Sequence, residues 1–172
     1  TGDASFDYLR KAIPDLLITS LERRGELYVA TWERMLDLLE QLGEKDVKVI
    51  DRRQGFELCR LEGIETIVIG SYIKAGETFA TDVKVLDASS KKLLRSAGSK
   101  GEGVSSIINS QIDELTREIS RGMAASRDAA AEAPLANVTT RSMEAYKYYL
   151  EGRENVDKLY YAEAQRAFEK AV

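Results

Sequence analysis

The run Gly98-Ser99-Lys100-Gly101-Glu102-Gly103 is the first place where residue type and spacing suggest chemistry. A glycine-rich loop ahead of a helix can turn free backbone N–H groups toward a phosphate. The run has neither the GxxxxGK[ST] nor the GxGxxG spacing, so it is read as a flexible strand-to-helix connection able to hold a stray anion at most. Cys59 is the single thiol. A nucleophilic thiol needs a neighbour that lowers its pKa, and Cys59 sits on the apolar face of a predicted helix, so it is read as a small core residue. The chain has no histidine, which removes Ser–His and Cys–His pairs and most zinc sites. Acid–base work would fall to carboxylates, lysine or tyrosine. Asp82, Asp87, Glu65 and Glu77 cannot be paired from spacing, and Asp87 reads as a turn residue whose carboxylate bonds N–H groups two residues on. Asn137-Val138-Thr139 spells a glycosylation sequon and is taken as chance. No catalytic, cofactor-binding or metal-ligating residue is assigned, no cofactor is expected, and the chain is read as a non-enzyme.

Composition points the same way. The chain has 172 residues, 44% hydrophobic and 31% charged, enough for one core with a small appendix. A net charge of −4 argues against a partner recognised through nucleic-acid phosphates. No apolar run approaches the roughly 18 residues of a membrane span. The chain opens at Thr1-Gly2-Asp3 without a methionine, which predicts a piece of a longer protein.

Among the predicted elements, the stretch from Ile64 to Gly103 is the most informative. Ile67, Val68 and Ile69 form a β-branched run, Gly70 marks a bulge or close approach, and Ala75-Gly76-Glu77 is a turn. Phe79, Thr81, Val83 and Val85 then share one face at period two. The polar stretch from Asp87 to Lys91 breaks that strand before Leu93-Leu94 opens a third. Ahead of this meander, Phe6, Leu9, Ile13, Leu16, Leu17 and Leu21 keep helical spacing, with a kink or restart predicted at Pro14. Leu27 to Ala30 is a short strand candidate. Thr31 caps a second helix that stops at Gly43, and a third runs from about Asp51 to Glu62 with Phe56 and Cys59 inward, joined by Arg60 or Leu61. Behind the meander, Val104, Ile107, Ile108, Ile112, Leu115, Ile119 and Met123 make a long helical stripe, capped at Ser105 or Ser106. The alanine-rich segment 124–138 reads as a linker, and two helices follow it. So small a sheet is thin cover for four amphipathic helices, so a strand upstream of Thr1, or one supplied from elsewhere, is expected beside it.

Residues 1–123 resemble the TolB-like, FlgO/CsgG-related domains of bacteria. The likeness rests on the opening TGD, the Gly70-Ser71 doublet, Gly76 in the hairpin, and Asp87 with its polar turn before Leu93-Leu94. In that family an apolar strand precedes the TGD, so the resemblance implies an unaccounted sheet edge. Residues 139–172 resemble one incomplete tetratricopeptide repeat, with Gly152, Ala164, Phe168 and Ala171 at the small and aromatic positions and Tyr148 as the bulky packing residue. Glu151 stands where a leucine is usual. The second likeness implies a concave peptide-binding face, on which Tyr146, Tyr149, Arg153 and Val156 fall as candidate partner-binding residues.

The fold expected is α/β (α+β), a mixed sheet with a three-strand antiparallel meander packed by amphipathic helices, plus a C-terminal helical hairpin of tetratricopeptide type. Its parts are 1–123, the linker 124–138 and the repeat 139–172. The expected role is a non-catalytic sensor or protein-interaction module of a larger bacterial regulator, such as a receptor-type serine/threonine kinase or a membrane-tethered regulator. A protein or peptide partner is expected, with no nucleic acid, and strand exchange at the open edge is one route to it. The alternatives are a small-molecule or nucleotide-binding domain using a crevice near Gly70 and Gly98 to Gly103, or a component of a cell-envelope assembly. The extracytoplasmic side of a membrane-anchored protein is favoured over the cytoplasm.

Overall fold

The computed structural model describes residues 4–24, 27–44, 47, 49–123, 134–137 and 139–172. Its period-two segments form an antiparallel sheet: β1 (Thr66–Ala75), β2 (Thr78–Asp87) and β3 (Leu93–Glu102), in the order β1-β2-β3. The two-residue turn Gly76-Glu77 sets the register, from Thr66 opposite Asp87 to Ala75 opposite Thr78. Phe79, Thr81, Val83 and Val85 are all buried, as their alternation requires. Gly70 pairs with Val83 in unbroken register, so no bulge forms there; a register shift lies instead between Val85 and Leu86, on the β3 side.

Helices cover the buried face. α1 (Leu9–Glu22) is one continuous helix with Pro14 inside it, so the chain does not restart a helix at Pro14. Proline has no N–H to give the Arg10 carbonyl, but the buried stripe of Leu9, Ile13, Leu16 and Leu17 holds the helix in place. α2 (Trp32–Gln41) is capped by Thr31, whose hydroxyl accepts the Arg34 N–H at 3.2 Å. α3 (Arg52–Glu62) opens on a reciprocal capping box between Asp51 and Gln54, each bond 2.8 Å long. It turns Leu58 and Cys59 inward, whereas Phe56 is half-buried and Arg60 and Leu61 face outward. α4 (Ile112–Met123) continues from a π-helical turn at Ile107–Gln111 and packs on α1, β2 and β3. Ser106 is not its cap: it is itself helical, and its hydroxyl donates to the Gly103 carbonyl at 2.7 Å. No strand forms at 27–30, because no strand among the described residues offers it a ladder; Leu27 and Val29 lean on the core while Tyr28 is 77% exposed.

The chain ends in two helices, α5 (Met143–Asp157) and α6 (Tyr161–Ala171), packed on each other. Gly152 makes this packing possible: a Cβ there would come within 2.4 Å of the Phe168 ring. Most of the expected linker, 124–133 and 138, lies outside the described residues. Its described part is packed: Leu135 is fully buried, and its N–H donates to both carboxylate oxygens of Asp113 at 3.2 Å.

The whole is a mixed α/β structure with six α-helices and a three-strand antiparallel sheet among the described residues. Two separate apolar clusters hold the described residues. The larger one joins α1, β2 and α4 to Leu135, Met143, Tyr146 and Leu150. The smaller one, Leu38, Leu39 and Leu58, belongs to α2 and α3 alone.

Candidate functional site

Between the two clusters lies a cavity of about 560 Å³. One wall is α1, through Ile13, Pro14 and Leu17, and the other is the α2–α3 pair, through Trp32, Met35 and Leu58. The floor is β1 from Thr66 to Tyr72. Strand alternation sends Val68 and Tyr72 toward the larger cluster and Ile67 toward α3, where its Cδ1 lies under Gly55. The trough therefore wraps the outer edge of β1 on both faces. Among the described residues no strand pairs with that edge.

A β-branched run apolar on both faces is the signature of a strand covered on both faces, here by α1 and by the α2–α3 pair. Natural edges are usually blunted by charge, proline or a bulge. Between Thr66 and Tyr72 the edge has none of these. Cys59 also lines the trough, and burial pushes its thiol pKa up, so it is a protonated wall residue rather than a nucleophile. Arg10, Asp51 and Arg52 bring charge to the lining, but the Asp51 carboxylate is taken up in capping α3.

A second cluster joins α5 to this region. Tyr146 donates its hydroxyl to the Asp15 carboxylate of α1 at 2.6 Å. Burial first, and then this bond to a carboxylate, push the phenol pKa strongly up. Arg153 reaches the same Asp15 carboxylate at 3.5 Å and also pairs with Glu33 of α2. Its guanidinium lies 5.8 Å from the centre of the Tyr149 ring.

The four candidate partner-binding residues thus divide. Tyr146, 6% exposed, and Arg153 are occupied by α1 and α2 of their own chain. Tyr149 and Val156 stay on the surface, 41% and 40% exposed, and the Tyr149 ring also meets Phe168 at 6.2 Å.

The glycine-rich run is not a loop. Gly98 to Glu102 is strand, laddered to β2, and a Cβ at Gly101 would sit 2.5 Å from the Ser106 Cβ, so glycine there admits the following helix. Gly70 lines the trough, whereas the 98–103 run lies outside its lining. Asp87 accepts the Ser90 N–H at 2.6 Å and both neighbouring serine hydroxyls at 2.7 Å. Those bonds pull its pKa down to about 2. Glu77 and Asp87 flank opposite ends of β2, about 30 Å apart at ~3.3 Å per residue. Among the described residues no group of three or more Cys, Asp or Glu side chains could hold a metal, and no helix is long and apolar enough to cross a membrane.

Sequence reasoning missed Asp15 and Glu33. Their one linear signal is Asp15 itself, a carboxylate set inside an apolar helical stripe directly after Pro14. No protein family, curated protein or solved structure compared with this chain matches it.

Proposed function

We propose that this chain is a non-catalytic protein-interaction module, the sensor or docking part of a larger bacterial regulator, and that it binds an extended apolar segment of a partner protein along β1. The observation that carries the reading is the trough around an unblocked Ile67-Val68-Ile69 edge. Backbone pairing to β1 would supply affinity, and the two walls would supply specificity. Because α1 covers one face and α2–α3 the other, the segment should be a continuous apolar run, not an alternating one. Arg10 and Arg52 favour acidic residues at its ends. On this reading the meander belongs to a TolB-like α/β part, and α5 and α6, with Gly152 against Phe168 and Ala164 buried, are the start of a tetratricopeptide array.

The test is a titration with a soluble peptide of five valine and isoleucine residues flanked by glutamates, followed by the emission of Trp32, the only tryptophan. Saturable binding in the micromolar range is expected, weakened about tenfold when alternate residues are made serine. No saturable binding, or indifference to alternation, overturns it. A second reading is favoured by the trough's size, which lies in the ~300–1,000 Å³ range of ligand pockets. In that case an apolar dye would bind and the peptide would not displace it. Pairing of β1 with β1 of a second copy would appear as dimers competed away by the peptide.

A further inference from the structure

We infer that Arg153 is a tie between the two walls of the trough, so that the seating of α5 governs how far α2 can move away from α1. The inference rests on reading the trough as the binding site, and it concerns how that site is regulated.

The α2–α3 pair has its own small cluster, separate from the main core. It meets the rest of the molecule mainly where α3 packs on β1. One ion pair, Arg34 to Glu62, keeps α2 with α3. Another, Glu33 to Arg153, reaches out of the pair. Arg153 is anchored at its other side on Asp15 of α1, which also holds the Tyr146 hydroxyl. Pro14 and Trp32, the neighbours of Asp15 and Glu33, both line the trough. One guanidinium on α5 therefore joins the two elements that must part to admit a segment between them. A planar fork suits that task, since it can address two carboxylates from one position. Anything that pulls α5 from α1 releases α2, and a segment that pushes α2 outward works against Arg153.

The pair with Glu33 is solvent-facing, the Glu33 side chain being 59% exposed, so its effect is a modest bias and not a lock. In the full chain, Arg153→Gln and Glu33→Gln should each speed amide hydrogen exchange in α2 by about two- to fivefold, the range open to such a pair. Acrylamide quenching of Trp32 should rise in parallel, while exchange in β2 and α4 stays at wild-type rates. The double variant should go no further than Arg153→Gln alone, because that change already removes the link that Glu33→Gln removes. Glu33→Gln alters a surface carboxylate and keeps the test available should Arg153→Gln loosen α5. Wild-type exchange and quenching in both variants, or effects that simply add, would overturn the tie. The apolar peptide separates this from the site itself. If α2 responds as expected but the peptide binds none of the proteins, the tie stands and the docking reading falls. If the peptide binds all of them equally and α2 does not respond, the site stands and the tie falls.

Discussion

Tyr146 is the residue whose assignment changed most between sequence and structure, from a candidate for an outside partner to an internal anchor on Asp15. A buried hydrogen bond to a charged group contributes about 1.5–3 kcal/mol, so Tyr146→Phe should lower the unfolding free energy by roughly that amount in a urea titration. The same phenol predicts an alkaline limit. The pKa values of Tyr146 and Tyr8 are both raised above the ordinary 10.0, chiefly by burial, with Tyr8 reaching about 12. The folded state thus holds these protons more tightly than the unfolded chain. Stability from this source is fully present below about pH 10 and is lost as pH climbs through the folded values. Urea midpoints measured between about pH 8 and pH 11 should be level at first and then fall. In Tyr146→Phe the fall should be shallower; an equal slope would contradict the assignment.

At the scale of elements, the contact between α5 and α6 depends on what is missing at Gly152. Gly152→Val would drive a branched side chain into the Phe168 ring, and overpacking of this kind costs about 1–3 kcal/mol. Exchange in α6 should accelerate sharply while β2 keeps its protection, because α6 adds no residue to the main cluster. The elements themselves were largely legible in the chain. Thr31, Gly76 and the alternation of Phe79, Thr81, Val83 and Val85 act within a few residues, so local spacing reveals them. Leu27 to Ala30 misled because β propensity expresses itself only beside a partner strand, and none lies there among the described residues. The Gly98–Gly103 run misled because its glycines serve close approach within a strand, and spacing cannot tell that from a loop. The trough was half legible: the Ile67-Val68-Ile69 run signalled a strand, and the small sheet signalled an edge left without a neighbour. The link from Asp15 through Arg153 to Glu33 was not, because it joins residues 138 and 120 positions apart.

At the scale of the molecule, the described residues form two cores of unequal size, and the smaller should open first. Native-state exchange should find α2 opening at a lower free energy than β2 and α4, whose residues sit in the large cluster. Equal protection throughout would mean that the clusters behave as one. The long reach of the α1–α5 contact also sets an order in time. The sheet pairs neighbours through short turns and needs only locally available chain. α1 is made early, yet the tyrosine that meets its Asp15 lies 131 residues further on. During synthesis, at about 5–20 residues per second, α1 therefore waits several seconds or more for that partner. Its helical stripe must be sheltered meanwhile by α4 and the sheet, or by a chaperone, and the docking of α5 comes as a late step in the birth of the protein.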